Sequence, residues 1–196
     1  MRCSRKDIVI ALFICILGLD GYAQKGSDNQ VVKPDGTALF NSLDQVSFPA
    51  AIVFLDEECP VSQKYSRTLL QLQDTYGDKV SFVAVFLPDL QGNTGALQYV
   101  RDFGFRGSVI NDLSFSICDQ LEAKVTPEVF LLDQNRNLLY RGAIDNWYYA
   151  LGKYRRVVTE HYLEDALTAL IAGESPAVTE TQAIGCFINQ TVRARK

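Results

Sequence analysis

Three cysteines are the residues best suited to chemistry in this sequence. Of its five cysteines, Cys3 and Cys15 lie in an N-terminal segment with the features of a leader, which leaves Cys59, Cys118 and Cys186. Because three is odd, at least one thiol must stay reduced, pair transiently or bond to a partner. A chain of 196 residues can bury a core without disulfides, so we expect a reactive role for at least one of them.

Cys59 is the strongest candidate nucleophile because it precedes a predicted helix. Pro60 suits the first helical position, and apolar residues follow at helical spacing: Val61, Tyr65, Leu69, Leu72 and Tyr76. The N–H groups and the dipole of such a helix start stabilise a thiolate. Three carboxylates directly before the cysteine oppose this effect: Asp56, Glu57 and Glu58. We therefore expect mild activation, and the alternative is a packed structural thiol.

Ser62 stands where a Cys-x-x-Cys pair would have its second cysteine. A dithiol reductase needs a second thiol to resolve the mixed disulfide that it forms with its substrate. The chain therefore works with one thiol, or a distant cysteine resolves the intermediate. Ser62 could donate a hydrogen bond to the Cys59 sulfur, or it could be an ordinary first-turn serine.

Cys186 is the favoured distant partner of Cys59. Its neighbour Gly185 permits a close backbone approach, and the tail after Gly173 is long enough to return to the start of the Cys59 helix. Cys118 lies on the apolar face of a short predicted helix and is expected to be a small buried side chain. A structural bridge between Cys118 and Cys186 is the alternative pairing.

The N-terminus predicts a secretory signal peptide over residues 1–23. Arg2, Arg5 and Lys6 precede an apolar run over residues 8–19, and small residues lead up to Ala23. The run is shorter than the roughly 20 apolar residues of a membrane-spanning helix, so we expect cleavage after Ala23, export to the periplasm or exterior, and no stable membrane insertion. An uncleaved anchor is the alternative. We divide the remainder into a leading arm (24–45), a main domain (46–173) and a C-terminal extension (174–196).

Charge and composition exclude several classes of function. The net charge is −4 at pH 7, with 19 basic and 23 acidic residues, so no basic surface is expected for nucleic acid. The hydrophobic fraction of 47% excludes a disordered chain. We expect no cofactor and no metal ligand set.

The pattern of apolar runs predicts an α/β domain with a central mixed sheet of about four or five strands flanked by helices. Strands are predicted at residues 50–55, 80–87 and 109–110, with a hairpin over 128–132 and 138–140. Helices are predicted at 60–76, 94–103, 115–121 and 160–172. The first strand, helix and second strand form a βαβ unit, and the final apolar residues could dock back on the domain.

These residues resemble the redoxin group of exported thioredoxin-like proteins over roughly residues 40–190. The resemblance rests on Cys59-Pro60-Val61-Ser62, Val125-Thr126-Pro127-Glu128, Tyr140-Arg141-Gly142, Ile144-Asp145-Asn146 and a late Gly185-Cys186. It implies a thioredoxin-like fold in which Pro127 is a cis-proline facing the reactive sulfur. It also implies that the backbone of Thr126 pairs with an extended substrate strand.

The sequence thus predicts an exported thiol-disulfide oxidoreductase acting on protein or small-molecule thiols and disulfides. Cys59, Cys186 and Ser62 are the expected catalytic residues, and Pro60, Thr126, Pro127 and Arg141 the expected substrate-binding residues. Arg141 could steer a substrate, although a solvated surface pair with Asp145 is the more ordinary interpretation.

Two other functions stay open at this point. One is a thiol peroxidase, although Ile52 and Asp56 stand where a peroxiredoxin-like site has proline and threonine. The other is a non-catalytic binding module or metal-binding protein. A Cys-His pair or a copper site would need His161, the sole histidine, beside Cys59.

Overall fold

The computed structural model describes residues 31–32, 38–40, 42–89 and 94–188. The predicted signal peptide and residues 189–196 lie outside the described residues, as does much of the predicted leading arm. Cleavage after Ala23 therefore stays a prediction. No helix in the described part of the chain combines the length and the apolar character needed to cross a membrane.

Seven strands form the central sheet, in the order β1-β2-β5-β4-β3-β7-β8. They are β1 (Val31–Val32), β2 (Ala38–Phe40), β3 (Ala50–Leu55), β4 (Ser81–Phe86), β5 (Ser108–Asn111), β7 (Glu128–Leu132) and β8 (Leu138–Gly142). The strands β2, β5, β4 and β3 run parallel to one another. β7 is antiparallel to β3, β8 is antiparallel to β7, and β1 is antiparallel to β2, so the sheet is mixed.

Within the described residues, four α-helices cover the two faces of this sheet: α1 (Pro60–Tyr76), α2 (Ala96–Phe103), α3 (Ser116–Leu121) and α4 (Tyr162–Ala172). Alternate residues of β3 point to opposite faces because successive side chains in a strand alternate. Val53 and Leu55 join the core cluster that contains α1, α2 and α4, and Ile52 and Phe54 join the cluster with α3. Every residue of β3 is buried, which explains its continuous apolar sequence.

Two smaller antiparallel pairs complete the described structure. The strands β9 (Tyr148–Ala150) and β10 (Lys153–Tyr154) form a hairpin. The strand β11 (Cys186–Phe187) returns from the end of the chain and pairs with β6 (Val125–Thr126), directly before β7. The β6–β11 pair and the bond from Cys186 to Cys59 place the last described residues next to the start of α1.

The mixed α/β architecture predicted from the sequence is confirmed. The number of strands in the central sheet is larger than the four or five expected, because β1 and β2 extend it beyond β5. Both come from the segment that was predicted to be a leading arm. Its polar and turn-rich composition hid two strands of two and three residues, which are too short to leave a clear alternating pattern.

Candidate active site

Cys59 and Cys186 are joined by a disulfide whose two Cα atoms are 6.0 Å apart. Cys59 is the N-cap residue of α1, and Pro60 occupies the first turn. The predicted pairing of Cys59 with Cys186 is therefore present. Cys118 takes no part in the bridge: it is buried on α3, with its sulfur 3.6 Å from the carbonyl oxygen of Ala123.

The loop before Cys59 is held by local hydrogen bonds among residues 56–63. The Asp56 carboxylate accepts the N–H of Glu58 at 2.8 Å, and the Asp56 carbonyl accepts the N–H of Cys59 at 3.2 Å. The side-chain amide of Gln63, one turn into α1, donates to the carbonyl of Glu57 at 2.6 Å. Burial raises the pKa of Glu57 above its ordinary value.

Thr126 and Pro127 lie against the disulfide, and the peptide bond between them is cis. The carbonyl oxygen of Thr126 is 3.1 Å from the Cys59 sulfur. In the disulfide this sulfur carries no proton, so the approach is a contact, whereas a reduced Cys59 thiol could donate a hydrogen bond to the same oxygen. Thr126 also pairs with Cys186 in the β6–β11 ladder.

The chain around Cys186 forms a segment that we call the C-terminal strap, residues 179–188. One end follows β8: the N–H of Arg141 donates to the carbonyl of Thr179, and the N–H of Thr181 donates to the carbonyl of Arg141, both at 3.0 Å. The other end follows β6, where the N–H of Ile188 donates to the carbonyl of Lys124 at 3.0 Å. Cys186 is therefore presented by hydrogen bonds on both sides as well as by the disulfide.

Ser62 lies one helical turn after Cys59 and is fully buried. Residues three apart on a helix share a face, so its hydroxyl belongs to the Cys59 side of α1. Among the described residues, the Ser62 hydroxyl has no hydrogen-bond partner. The backbone carbonyl of Ser62 accepts the Tyr99 hydroxyl at 2.9 Å, which ties α2 to this turn.

Asp145 is a buried carboxyl group next to the site, whereas the sequence predicts a solvated surface residue. Asp145 is 5% exposed, and one of its oxygens accepts the Tyr65 hydroxyl at 2.5 Å and the N–H of Trp147 at 2.8 Å. Burial raises the pKa of Asp145, although both hydrogen bonds act to lower it. Burial and the bond to Asp145 likewise raise the pKa of Tyr65. Tyr65, Asp145 and Pro127 line the same small pocket.

The interpretation of Arg141 and Asp145 as a solvated surface pair is wrong. Asp145 points into the core, and the Arg141 side chain is only 18% exposed. Arg141 instead lies within 4 Å of three other carboxylates: Glu122 at 3.9 Å, and Glu128 and Glu180 both at 3.7 Å. Glu128 is itself buried, so Arg141 balances a charge inside the protein. A charged residue in a strand next to a glycine gave no signal of this arrangement.

Arg141 lies on the wall of a cleft of about 460 Å³ that runs beside the strap. The other lining residues include Val125, Leu151, Ile184 and Phe187. The cleft therefore offers apolar walls with ionic groups on one side, directly next to β6.

The aromatic segment after β8 has a part packed against α1 and an exposed part. Trp147 packs against Tyr65 and Tyr148, with ring centroids 5.5 and 5.2 Å apart, which supports α1. Tyr149 and Tyr154 are exposed on the β9–β10 hairpin. His161 is also exposed, and its Nδ1 atom is 3.7 Å from a Glu164 oxygen. In the part of the chain that the structure describes, no three His, Cys, Asp or Glu side chains are grouped to hold a metal ion.

Solved structures share this architecture. A hypothetical protein from Sinorhizobium meliloti 1021 aligns with a TM-score of 0.61 and 27% identity over 71% of this chain and 78% of its own. An uncharacterized conserved protein from Geobacillus kaustophilus aligns with a TM-score of 0.60 and 24% identity over 71% of this chain and 76% of its own. A thioredoxin-like protein solved in its oxidized form aligns with a TM-score of 0.51 and 17% identity over 69% and 87%.

The chain has a thioredoxin-like fold. No protein-family model matches the sequence, and no curated protein matches it. The fold and the disulfide at the start of α1 are thus the two findings on which a function can be argued.

Proposed function

We propose that this protein is an exported thiol-disulfide oxidoreductase of the redoxin type, with Cys59 as the nucleophile and Cys186 as the resolving cysteine. The observation that carries this proposal is the Cys59–Cys186 disulfide at the N-terminus of α1, next to Thr126 and Pro127. A disulfide between a helix-capping cysteine and a short added strand supports a reversible role, because the N–H groups at the helix start stabilise the Cys59 thiolate that forms when the bond opens.

The reaction transfers two electrons between the protein and a substrate disulfide. The Cys59 thiolate attacks one substrate sulfur, the substrate S–S bond breaks, and the other substrate sulfur leaves as a thiolate. The Cys186 thiolate then attacks the Cys59 sulfur, which releases the second substrate thiol and closes the Cys59–Cys186 bond. The reverse sequence oxidises a substrate dithiol.

The remaining residues of the site support these steps. The buried Ser62 hydroxyl is available to donate to the Cys59 sulfur once the disulfide opens. Pro60 starts the helix whose N–H groups favour the thiolate. Thr126 and Pro127 hold the substrate backbone opposite the sulfur. Arg141 orders the strap by its two backbone bonds and lines the neighbouring cleft.

The test compares single cysteine variants of the protein. Reduction of a protein disulfide such as that of insulin is followed with wild type, Cys59→Ser, Cys186→Ser and the matched control Cys118→Ser. We expect loss of turnover with Cys59→Ser, accumulation of a mixed disulfide at Cys59 with Cys186→Ser, and unchanged turnover with Cys118→Ser.

Other outcomes separate the competing functions. Rapid consumption of hydrogen peroxide without protein disulfide exchange would support a thiol peroxidase. Cysteines that neither exchange nor react with iodoacetamide after reduction would support a non-catalytic binding module. The predicted export is tested separately, by the mass of the N-terminus of the protein recovered outside the cytoplasm, which should begin at Gln24.

A further inference from the structure

The C-terminal strap occupies the edge at which the proposed function requires a substrate strand. Cys186 pairs with Thr126 and Phe187 with Val125, in an antiparallel ladder that Ile188 extends to Lys124. A strand added to an exposed edge gains affinity from its backbone bonds and specificity from its side chains. The residues of the strap therefore show which side chains β6 accommodates on either side of a cysteine bonded to Cys59.

The position before the cysteine accepts only glycine. Gly185 is buried, and a Cβ atom built on it would overlap the carbonyl oxygen of Thr126 and lie 3.1 Å from the nitrogen of Pro127. Both groups are backbone atoms of the cis-proline turn, so no side-chain movement relieves the overlap. Gly185 does not have a positive φ, so the requirement is for space and not for conformation.

Of the other three positions around the cysteine, two make apolar contacts with the protein and one is exposed to solvent. Ile184 packs against the core cluster of α1 and lines the small pocket formed by Tyr65, Pro127 and Tyr148. Ile188 is buried against the cluster on the other face of the sheet. Phe187, directly after the cysteine, is 79% exposed and faces no such constraint.

We propose that the edge strand β6 selects protein segments of the pattern apolar–glycine–cysteine–any residue–apolar, and that the strap is the protein's own copy of this substrate. The inference rests on the proposed function. Such a segment docks in place of residues 184–188, with its cysteine at the position of Cys186 and its glycine against Thr126. The Cys59 thiolate attacks that cysteine's sulfur and expels its former disulfide partner as a thiolate, and Cys186 then attacks Cys59 to release the segment.

Synthetic peptides test the pattern directly. The reference peptide has the sequence of residues 182–188, with its cysteine in a disulfide with thionitrobenzoate. The full-length Cys186→Ser variant is reduced, and the rate of thionitrobenzoate release is measured at 412 nm. Mass spectrometry locates the peptide on Cys59. Replacing glycine by alanine should slow the reaction about tenfold or more, because overpacking against backbone costs over 1 kcal/mol. Replacing phenylalanine by alanine should change it less than about threefold.

Two results have distinct meanings in this assay. Equal rates for the glycine and alanine peptides would overturn the pattern even if both modify Cys59. The small disulfide dithiobis(nitrobenzoic acid) reports on the proposed function alone, because it needs no strand docking. Failure of both this reagent and the peptides to modify Cys59 would overturn the proposed function itself.

The strap supplies an independent test in the intact protein. Gly185→Ala should make the Cys59–Cys186 bond about tenfold easier to reduce in a glutathione redox buffer, because the methyl group forces the strand away from Thr126. The exposed residue Val178, before the strap, provides the control Val178→Ala, which should leave the equilibrium unchanged. An unchanged equilibrium for Gly185→Ala would show that the edge tolerates a side chain and would overturn the proposal.

Discussion

Opening the Cys59–Cys186 bond should strongly destabilise the fold, and the structure supplies the magnitude. The bond joins residues separated by 127 positions. In the chain-entropy model, a cross-link of this span removes about 17 cal/mol/K of entropy from the unfolded chain, or about 5 kcal/mol at 25 °C. Opening the bond returns this entropy to the unfolded chain, so the loss of stability arises mainly in the unfolded ensemble.

Thermal unfolding with and without dithiothreitol measures this effect without any mutation. For a protein of this size, about 5 kcal/mol corresponds to a decrease in Tm of roughly 10–20 °C. The Cys186→Ser variant should unfold at the Tm of the reduced wild type, and dithiothreitol should not lower it further. The Cys118→Ala variant has a buried substitution that changes its own Tm, yet it should keep the full decrease on reduction.

The reasoning would be refuted by a wild-type Tm that is insensitive to reduction while thiol counting verifies that the bond is open. It would also be refuted if dithiothreitol lowered the Tm of Cys186→Ser by the same amount as that of wild type, because another disulfide would then be responsible. A decrease of only a few degrees would show that the reduced, unfolded chain retains contacts between the strap and the domain.

Three other substitutions test the electrostatics of the site. The pKa of Asp145 is higher in the fold than in the unfolded chain, so the free energy of unfolding should decrease as the pH rises above 3.8, the ordinary pKa of this side chain. Urea unfolding at a series of pH values should show this decrease in wild type and not in Asp145→Asn. Arg141→Gln should lower the free energy of unfolding by about 3 kcal/mol in urea, because it leaves the buried Glu128 carboxylate without its cation. Glu58→Gln should raise the rate of Cys59 alkylation by iodoacetamide at pH 7 about two- to fivefold, because one repelling charge destabilises the thiolate by about 0.5–1 kcal/mol. An equal or slower rate would contradict the inference that the carboxylates before Cys59 destabilise its thiolate.

The local features of the site could be predicted because they depend on neighbouring residues. Cys59 followed by Pro60 and an apolar stripe specifies a helix N-terminus with little tertiary input, and the structure places both residues there. The buried strands β3 and β4 were recognisable for the same reason, since four or more apolar residues in succession need burial on both faces. The pairing of Cys186 followed from the length of the tail and the fixed position of Cys118.

The long-range features could not be predicted, because they depend on which distant backbones meet. In the sequence Asp145 has the features of a loop residue. It becomes a buried hydrogen-bond acceptor only because the fold brings the Tyr65 hydroxyl of α1 and the N–H of Trp147 next to its carboxylate. The clash that restricts position 185 likewise arises from Thr126, which is 59 positions earlier. A glycine beside a cysteine indicates close approach in general but does not identify the neighbouring backbone.

Separating the two thiols between a helix and a strap has a consequence that a Cys-x-x-Cys pair would not have. Cys59 is 2% exposed in the closed form, whereas Cys186 is only half-buried, so an external thiol reaches the Cys186 sulfur more easily. Attack there makes Cys59 the leaving group, and the helix N-terminus stabilises the departing thiolate. The released strap then uncovers β6 at the moment when Cys59 becomes reactive. Reduction therefore exposes the docking edge and the nucleophile together, and re-formation of the bond covers both.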